Sequence, residues 1–267
     1  MTEISTRTST ITISNGTAVE VSSTERGQGR PFLILHGGAG PQSVTEFADL
    51  LAGSAPARVI TPTHPGFGGT ARPDGLASVG ALAELYVRLL DALDLTEVTV
   101  VGNSVGGWIA AEMALLDSSR LNSVILVDAV GIEVADHPMV DFFALTMDEV
   151  AQLSYHQPAR FRIDVTALPP AAQAMMAGNR AALAVYGGSM TDATLAGRLA
   201  GISVPTLVLW GESDQIVDPE YGRAFATAIP GARYQLLAAT GHVPQLEAPD
   251  ELRDAIWDFA RAHAANH

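Results

Sequence analysis

The sequence predicts an α/β fold: a mostly parallel eight-stranded sheet, helices on both faces, and an inserted helical cap. Three observations carry this. Short apolar runs alternate with helical patterns along most of the chain. A hairpin of polar–apolar alternation precedes them. One long central stretch has helical signals and no convincing strand. Strands buried on both faces read as continuous apolar runs, and β–α alternation places helices on both sides of a parallel sheet.

The hairpin comes first. Thr8 to Ser14 and Ala18 to Ser22 alternate, with Ile11, Ile13, Val19 and Val21 directed inward, and Asn15-Gly16 between them is a strong hairpin-turn signal. Six apolar runs follow: Phe32 to Leu35, Arg58 to Thr61, Val98 to Val101, Val124 to Val127, Thr206 to Trp210 and Arg233 to Leu237. Helical patterns cover Ser43 to Ala52, Ser78 to Leu93, Val105 to Leu116, Glu220 to Ala228 and Pro249 to His263. From about Gly131 to Leu199 the rhythm breaks. Thr146-Met147-Asp148-Glu149 is a capping-box pattern that opens a helix toward Tyr155. Pro170 fits the start of a helix to Tyr186, and Gly187-Gly188 ends it. The expected division is a core of residues 1–130 and 201–267 with a helical cap over 131–200. Arg261 to His267 is expected to fray.

A chain of 267 residues, 48% of them hydrophobic, suits one α/β body with an insertion. It carries 15 Lys plus Arg against 29 Asp plus Glu, a net charge of −14. Such a surface disfavours nucleic acid and anionic membranes, both of which need clustered positive charge. The expected partner is a small-molecule substrate, and composition leaves the oligomeric state open. Cysteine is absent, which removes disulfides, Cys nucleophiles, Fe–S clusters and Cys-ligated zinc. Met1 to Thr10 has no basic or apolar leader character, and no apolar run reaches the roughly 18 residues a membrane span needs. The cytoplasm is the expected location.

Gly102-Asn103-Ser104-Val105-Gly106 fits G-x-S-x-G between an apolar strand and a helical run. A strand–turn–helix elbow needs small neighbours, because its central backbone is strained and closely approached. Read blandly, Ser104 would merely cap a helix. His36-Gly37-Gly38-Ala39-Gly40 ends an earlier strand, and such a turn can present backbone N–H groups to an oxyanion. Asp214 follows the strand ending at Trp210, and His242 lies on the loop beyond Leu237. Each alone is an ordinary loop residue. Together, the order Ser104, Asp214, His242, each after a predicted strand, is the chain order of one serine-hydrolase architecture. Asp128, after the strand ending at Val127, is a second candidate acid.

On these segments, with Thr63-His64-Pro65-Gly66-Phe67-Gly68-Gly69-Thr70, the chain resembles the α/β-hydrolase superfamily over about residues 8 to 264. The resemblance implies Ser104 as nucleophile, His242 as general base and Asp214 as its orienting acid. It also implies an oxyanion hole from the N–H groups of Gly38 and Val105, a helical lid after the sixth strand, and no cofactor. Thr63 stands where many relatives have Asp.

Gly66-Phe67-Gly68-Gly69-Thr70-Ala71 also fits a dinucleotide fingerprint, but no helix opens after it. His36, His64, His137 and His156 lack metal-ligand spacing, so no metal is expected. His137 and His156 are expected on the lid surface. Candidate substrate contacts are His36, Gly37, Asn103, Phe142, Phe143, Met176, Arg180 and Val243. The apolar lid residues point to a small or medium apolar ester, cleaved through an acyl-enzyme. The alternatives are a carbon–carbon bond hydrolase of vinylogous diketones and a cofactor-free perhydrolase. Asn103 and Arg180 resemble residues of the diketone hydrolases, whereas Val243 stands where that group has Trp. A non-catalytic receptor on the same fold is a further reading.

Overall fold

A computed structural model describes residues 4–264. Eight strands form one sheet: β1 (Ile4–Thr12), β2 (Ala18–Gly27), β3 (Arg30–Leu35), β4 (Ala57–Pro62), β5 (Val98–Asn103), β6 (Leu121–Val127), β7 (Thr206–Gly211) and β8 (Arg233–Leu237). Their order is β1-β2-β4-β3-β5-β6-β7-β8. The β1–β2 and β2–β4 pairs are antiparallel and the rest parallel.

Alternation along the strands feeds two cores. Leu33, Leu35, Val100, Leu126 and Trp210 pack with α2 (Val79–Ala92), α3 (Val105–Leu115) and α8 (Pro219–Ala228). Phe32, Ile34, Val101, Ile125 and Leu209 pack on the other face with α1 (Thr45–Ser54) and α10 (Pro249–Ala262). Both faces are covered, which is why these strands read as unbroken apolar runs. The hairpin's Ile11, Ile13, Val19 and Val21 are buried as expected. Its turn differs. Ile13 N–H donates to Thr17 O, leaving a three-residue connection over 14–16, and Asn15 Nδ2 donates to Gly75 O. Asn15-Gly16 thus serves a longer loop docked on a neighbouring turn instead of a two-residue hairpin.

Between β6 and β7 the chain makes α4 (Met147–Ser154), α5 (Pro158–Phe161), α6 (Pro170–Gly187) and α7 (Leu195–Arg198). Among the described residues no strand of this stretch joins the sheet; Gly131 and Thr191 make one isolated bridge. The Thr146 capping box is formed on both sides. The short helices α5, α7 and α9 (Pro244–Glu247) were not expected; at four residues each they are too short to leave a periodic signal. Arg261 lies inside α10, so the tail is ordered further than expected, and residues 265–267 lie outside the described ones. Among the described residues, no helix is long and apolar enough to cross a membrane.

Candidate active site

The site lies at the carboxyl ends of β3, β5, β6 and β7. Ser104 follows β5 with φ 57° and ψ −120°, a sparsely populated region for a residue with a Cβ. The sequence permits this turn through close approach. A Cβ at Gly102 would overlap the Gly106 carbonyl, and one at Gly106 would overlap the Leu35 carbonyl. Ser104 is the N-cap residue of α3, yet its side chain makes no capping bond. The bland capping reading therefore fails: Ser104 Oγ lies 2.9 Å from His242 Nε2. His242 Nδ1 lies 2.7 Å from Asp214 Oδ2.

Asp214 is buried after β7. Its Oδ1 accepts from the N–H groups of Ile216 at 2.8 Å and Val217 at 3.2 Å, so three donors converge on one carboxyl group. Asp128, the second candidate acid, reaches Gly211 N–H with Oδ1 at 2.7 Å and is not hydrogen-bonded to His242.

Gly37 and Gly38 run past Ser104. A Cβ at Gly37 would sit 3.2 Å from Ser104 Cβ, so the loop after β3 touches the elbow directly. Among the described residues, the N–H groups of Gly38 and Val105 donate to no backbone or side-chain acceptor. Val105 N–H belongs to the first turn of α3, where the helix leaves it without an internal partner. Helix α6 packs over this loop. A Cβ at Gly38 would lie 2.7 Å from Leu183 Cδ2. Asn179 accepts from Gly68 N–H at 2.8 Å and donates to Ala39 O at 3.3 Å, tying α6 to both glycine loops.

Several expected substrate contacts have other partners. His36 is wholly buried; its Nδ1 donates to Gly37 O at 2.8 Å and its Nε2 accepts from His64 N–H at 3.1 Å. It cannot reach a substrate, because both ring nitrogens face the protein. Burial first, then the neighbouring His64, pushes its pKa well below the usual imidazole range. Burial lowers His64 to about 4. Asn103 is also corrected. Its Nδ2 donates to His242 O at 2.9 Å and Val127 O at 3.3 Å, and its Oδ1 accepts from Gln245 Nε2 at 3.1 Å. It holds the loop of the histidine instead of facing a cleft. Arg180 Nη2 donates to the carbonyls of Phe142, Phe143 and Leu145, with its guanidinium over both phenyl rings. Phe142 and Phe143 line a cavity of about 660 Å³ with Ile132, Met139 and Met190. Met176 and Val243 are half-buried, on α6 and directly after His242.

Some residues of the site have no sequence signal. His242 N–H donates to Ser154 O at 2.7 Å and Gln215 N–H to Leu153 O at 3.0 Å, so the end of α4 carries the loops of both Asp214 and His242. Glu247 accepts from the N–H groups of Gly241, His156 and Gln157. His156 also meets Ser213 Oγ at 2.8 Å, and His137 meets Asp218 at 2.7 Å.

A strained serine at a strand–helix elbow, an imidazole between its hydroxyl and a buried carboxylate, and two free N–H groups can together perform acyl transfer. The chain belongs to the α/β hydrolase family, whose model matches residues 32–255. It is 28% identical to a 2-hydroxymuconate semialdehyde hydrolase of Pseudomonas putida, over 91% of each chain. It is 26% identical to Lipase 3 of Moraxella sp. (strain TA144), over 93% of this chain and 82% of the lipase. A thermophilic esterase from Thermogutta terrifontis shares the fold with a TM-score of 0.79 at 24% identity, covering 97% of this chain and all of the esterase.

Proposed function

We propose that this hydrolase cleaves a small or medium apolar carboxylic ester through a Ser104–His242–Asp214 triad. One observation carries the reading: His242 stands with Nε2 at 2.9 Å from Ser104 Oγ and Nδ1 at 2.7 Å from Asp214. His242 takes the Ser104 proton as Oγ attacks the carbonyl carbon. Asp214 holds the ring orientation and stabilises the imidazolium. The N–H groups of Gly38 and Val105 receive the oxyanion, each worth roughly 3 kcal/mol in the transition state. The intermediate collapses, the alcohol leaves with the proton from His242, and the serine is acylated. Water, deprotonated by His242, then releases the acid.

The half-buried Phe142 and Phe143 support an apolar substrate, although the cavity they line is bordered by none of Ser104, His242, Gly38 or Val105. The net charge of −14 disfavours an anionic substrate. A second reading, carbon–carbon bond hydrolysis of a vinylogous diketone, is favoured by the name of the Pseudomonas putida relative.

The test is a panel of nitrophenyl esters of rising acyl length beside a vinylogous diketone, with Ser104→Ala and His242→Ala in parallel. Ester turnover should dominate and fall by 10³-fold or more in either variant, as removal of a triad member does elsewhere. Ester turnover unchanged in Ser104→Ala removes the nucleophile. Diketone turnover far above ester turnover promotes the second reading.

A further inference from the structure

Asp128 directly follows β6 and Asp214 lies three residues beyond the parallel neighbour β7, and both are buried. One ligand atom from each of Asp128, Asp214 and His242 lies within 4.8 Å of the other two. Two carboxylates so close and so dry do not both ionise; one keeps a proton. The hydrogen bonds say which. Asp214 receives three N–H donors, the pattern that favours an anion. Asp128 receives one, from Gly211, and among the described residues its buried Oδ2 has no donor at all. A bare buried carboxylate oxygen is costly, whereas a protonated one becomes a donor with an acceptor beside it.

We propose that Asp128 is a positioning residue: a neutral carboxylic acid that donates its Oδ2 proton to Asp214 and so holds that carboxylate toward His242. The proposal rests on the triad reading above. Burial and the Asp214 charge push the Asp128 carboxyl well above the usual range. Glu247 adds negative charge in the same direction, and Tyr234 is a further titratable group near Asp128. The same trio offers three metal-ligating atoms, but the Asp214 oxygens are already committed to N–H donors, so a shared proton suits the cluster better than a cation.

The amide of an asparagine mimics a neutral acid and fails to mimic an anion. Asp128→Ala is expected to lower kcat by about tenfold with KM within about twofold, the size of one hydrogen bond to a charged group. Asp128→Asn is expected to recover most of that loss, because its N–H can donate to Asp214 while its oxygen still accepts from Gly211. Infrared spectroscopy of the wild-type protein at pH 7 is expected to show a protonated-carboxyl C=O band that shifts in D₂O and is missing in Asp128→Asn. The band is read without substrate, so it tests Asp128 even if no ester is turned over. An Asp128→Asn variant as impaired as Asp128→Ala overturns the proposal, as does a band that survives in Asp128→Asn, or full kcat in Asp128→Ala. Should Asp128→Ala fail to fold, the band and the kcat of Asp128→Asn decide alone.

Discussion

Ser104 shows how one residue's strain is held by its neighbours. Its positive φ costs on the order of 1–3 kcal/mol, and the turn persists because the flanking glycines admit backbone where side chains would collide. Asn103, its predecessor, has a different task from the one its position suggested. It grips the His242 carbonyl and is gripped by Gln245. Asn103→Ala should therefore destabilise the fold by about 1–3 kcal/mol through the unpaired partners it leaves. Its kcat should fall while KM changes little, because the base loop loosens and no substrate contact is lost. A rise in KM at constant kcat would instead return Asn103 to the substrate. The elbow itself was legible, since its glycines and strand–helix context are local. The partners of Asn103 were not, because Gln245 lies 142 residues away.

Helices α4 and α6 show what the stretch between β6 and β7 is attached to. The end of α4 accepts from the loops of Asp214 and His242, and a Cβ at Gly241 would overlap the Ser154 carbonyl. This end of α4 is an anchor for the loops that carry Asp214 and His242. Glu247 completes it by taking three N–H donors from residues 156, 157 and 241. Glu247→Ala should raise amide hydrogen exchange at His156, Gln157 and Gly241 and lower kcat, with exchange in β5 unchanged. Unaltered exchange at those three amides would refute the clamp. Helix α4 itself depends on its start. Thr146→Ala removes the side-chain half of the capping box, while the backbone N–H of residue 146 can still donate to Glu149, and should cost about 1 kcal/mol of local stability, read by exchange across 149–153. The capping box, Pro170 and Gly187-Gly188 marked these helices in the sequence, because caps act within four residues.

In the molecule as a whole, two of the buried histidines, His36 and His64, form a pair. His36 and His64 stack with ring centroids 3.8 Å apart, and Tyr86 and the backbone satisfy their nitrogens. Both pKa values are depressed in the folded protein. The unfolded chain therefore binds protons that the native state refuses. This stability is complete above about pH 6.5 and is lost as pH falls toward the folded value of about 4 for His64. At about 1.4 kcal/mol per pH unit, His64 alone accounts for about 3 kcal/mol across that window. Chemical denaturation at pH 7, 5.5 and 4 should show a shallower decline for His64→Gln than for the wild type. Parallel declines would show that His64 titrates as freely folded as unfolded.

The order of strands and helices, the elbow and the three catalytic candidates were readable from residues alone, because periodicity, caps and glycine spacing act over a few positions. Tertiary structure alone decided that His36 and Asn103 serve the protein instead of a ligand. It also decided that α4 anchors the loops of Asp214 and His242, and that Asp128 lies beside Asp214. Each of these depends on which groups compete for one buried hydrogen bond, and the competitors are brought together only when distant strands pair.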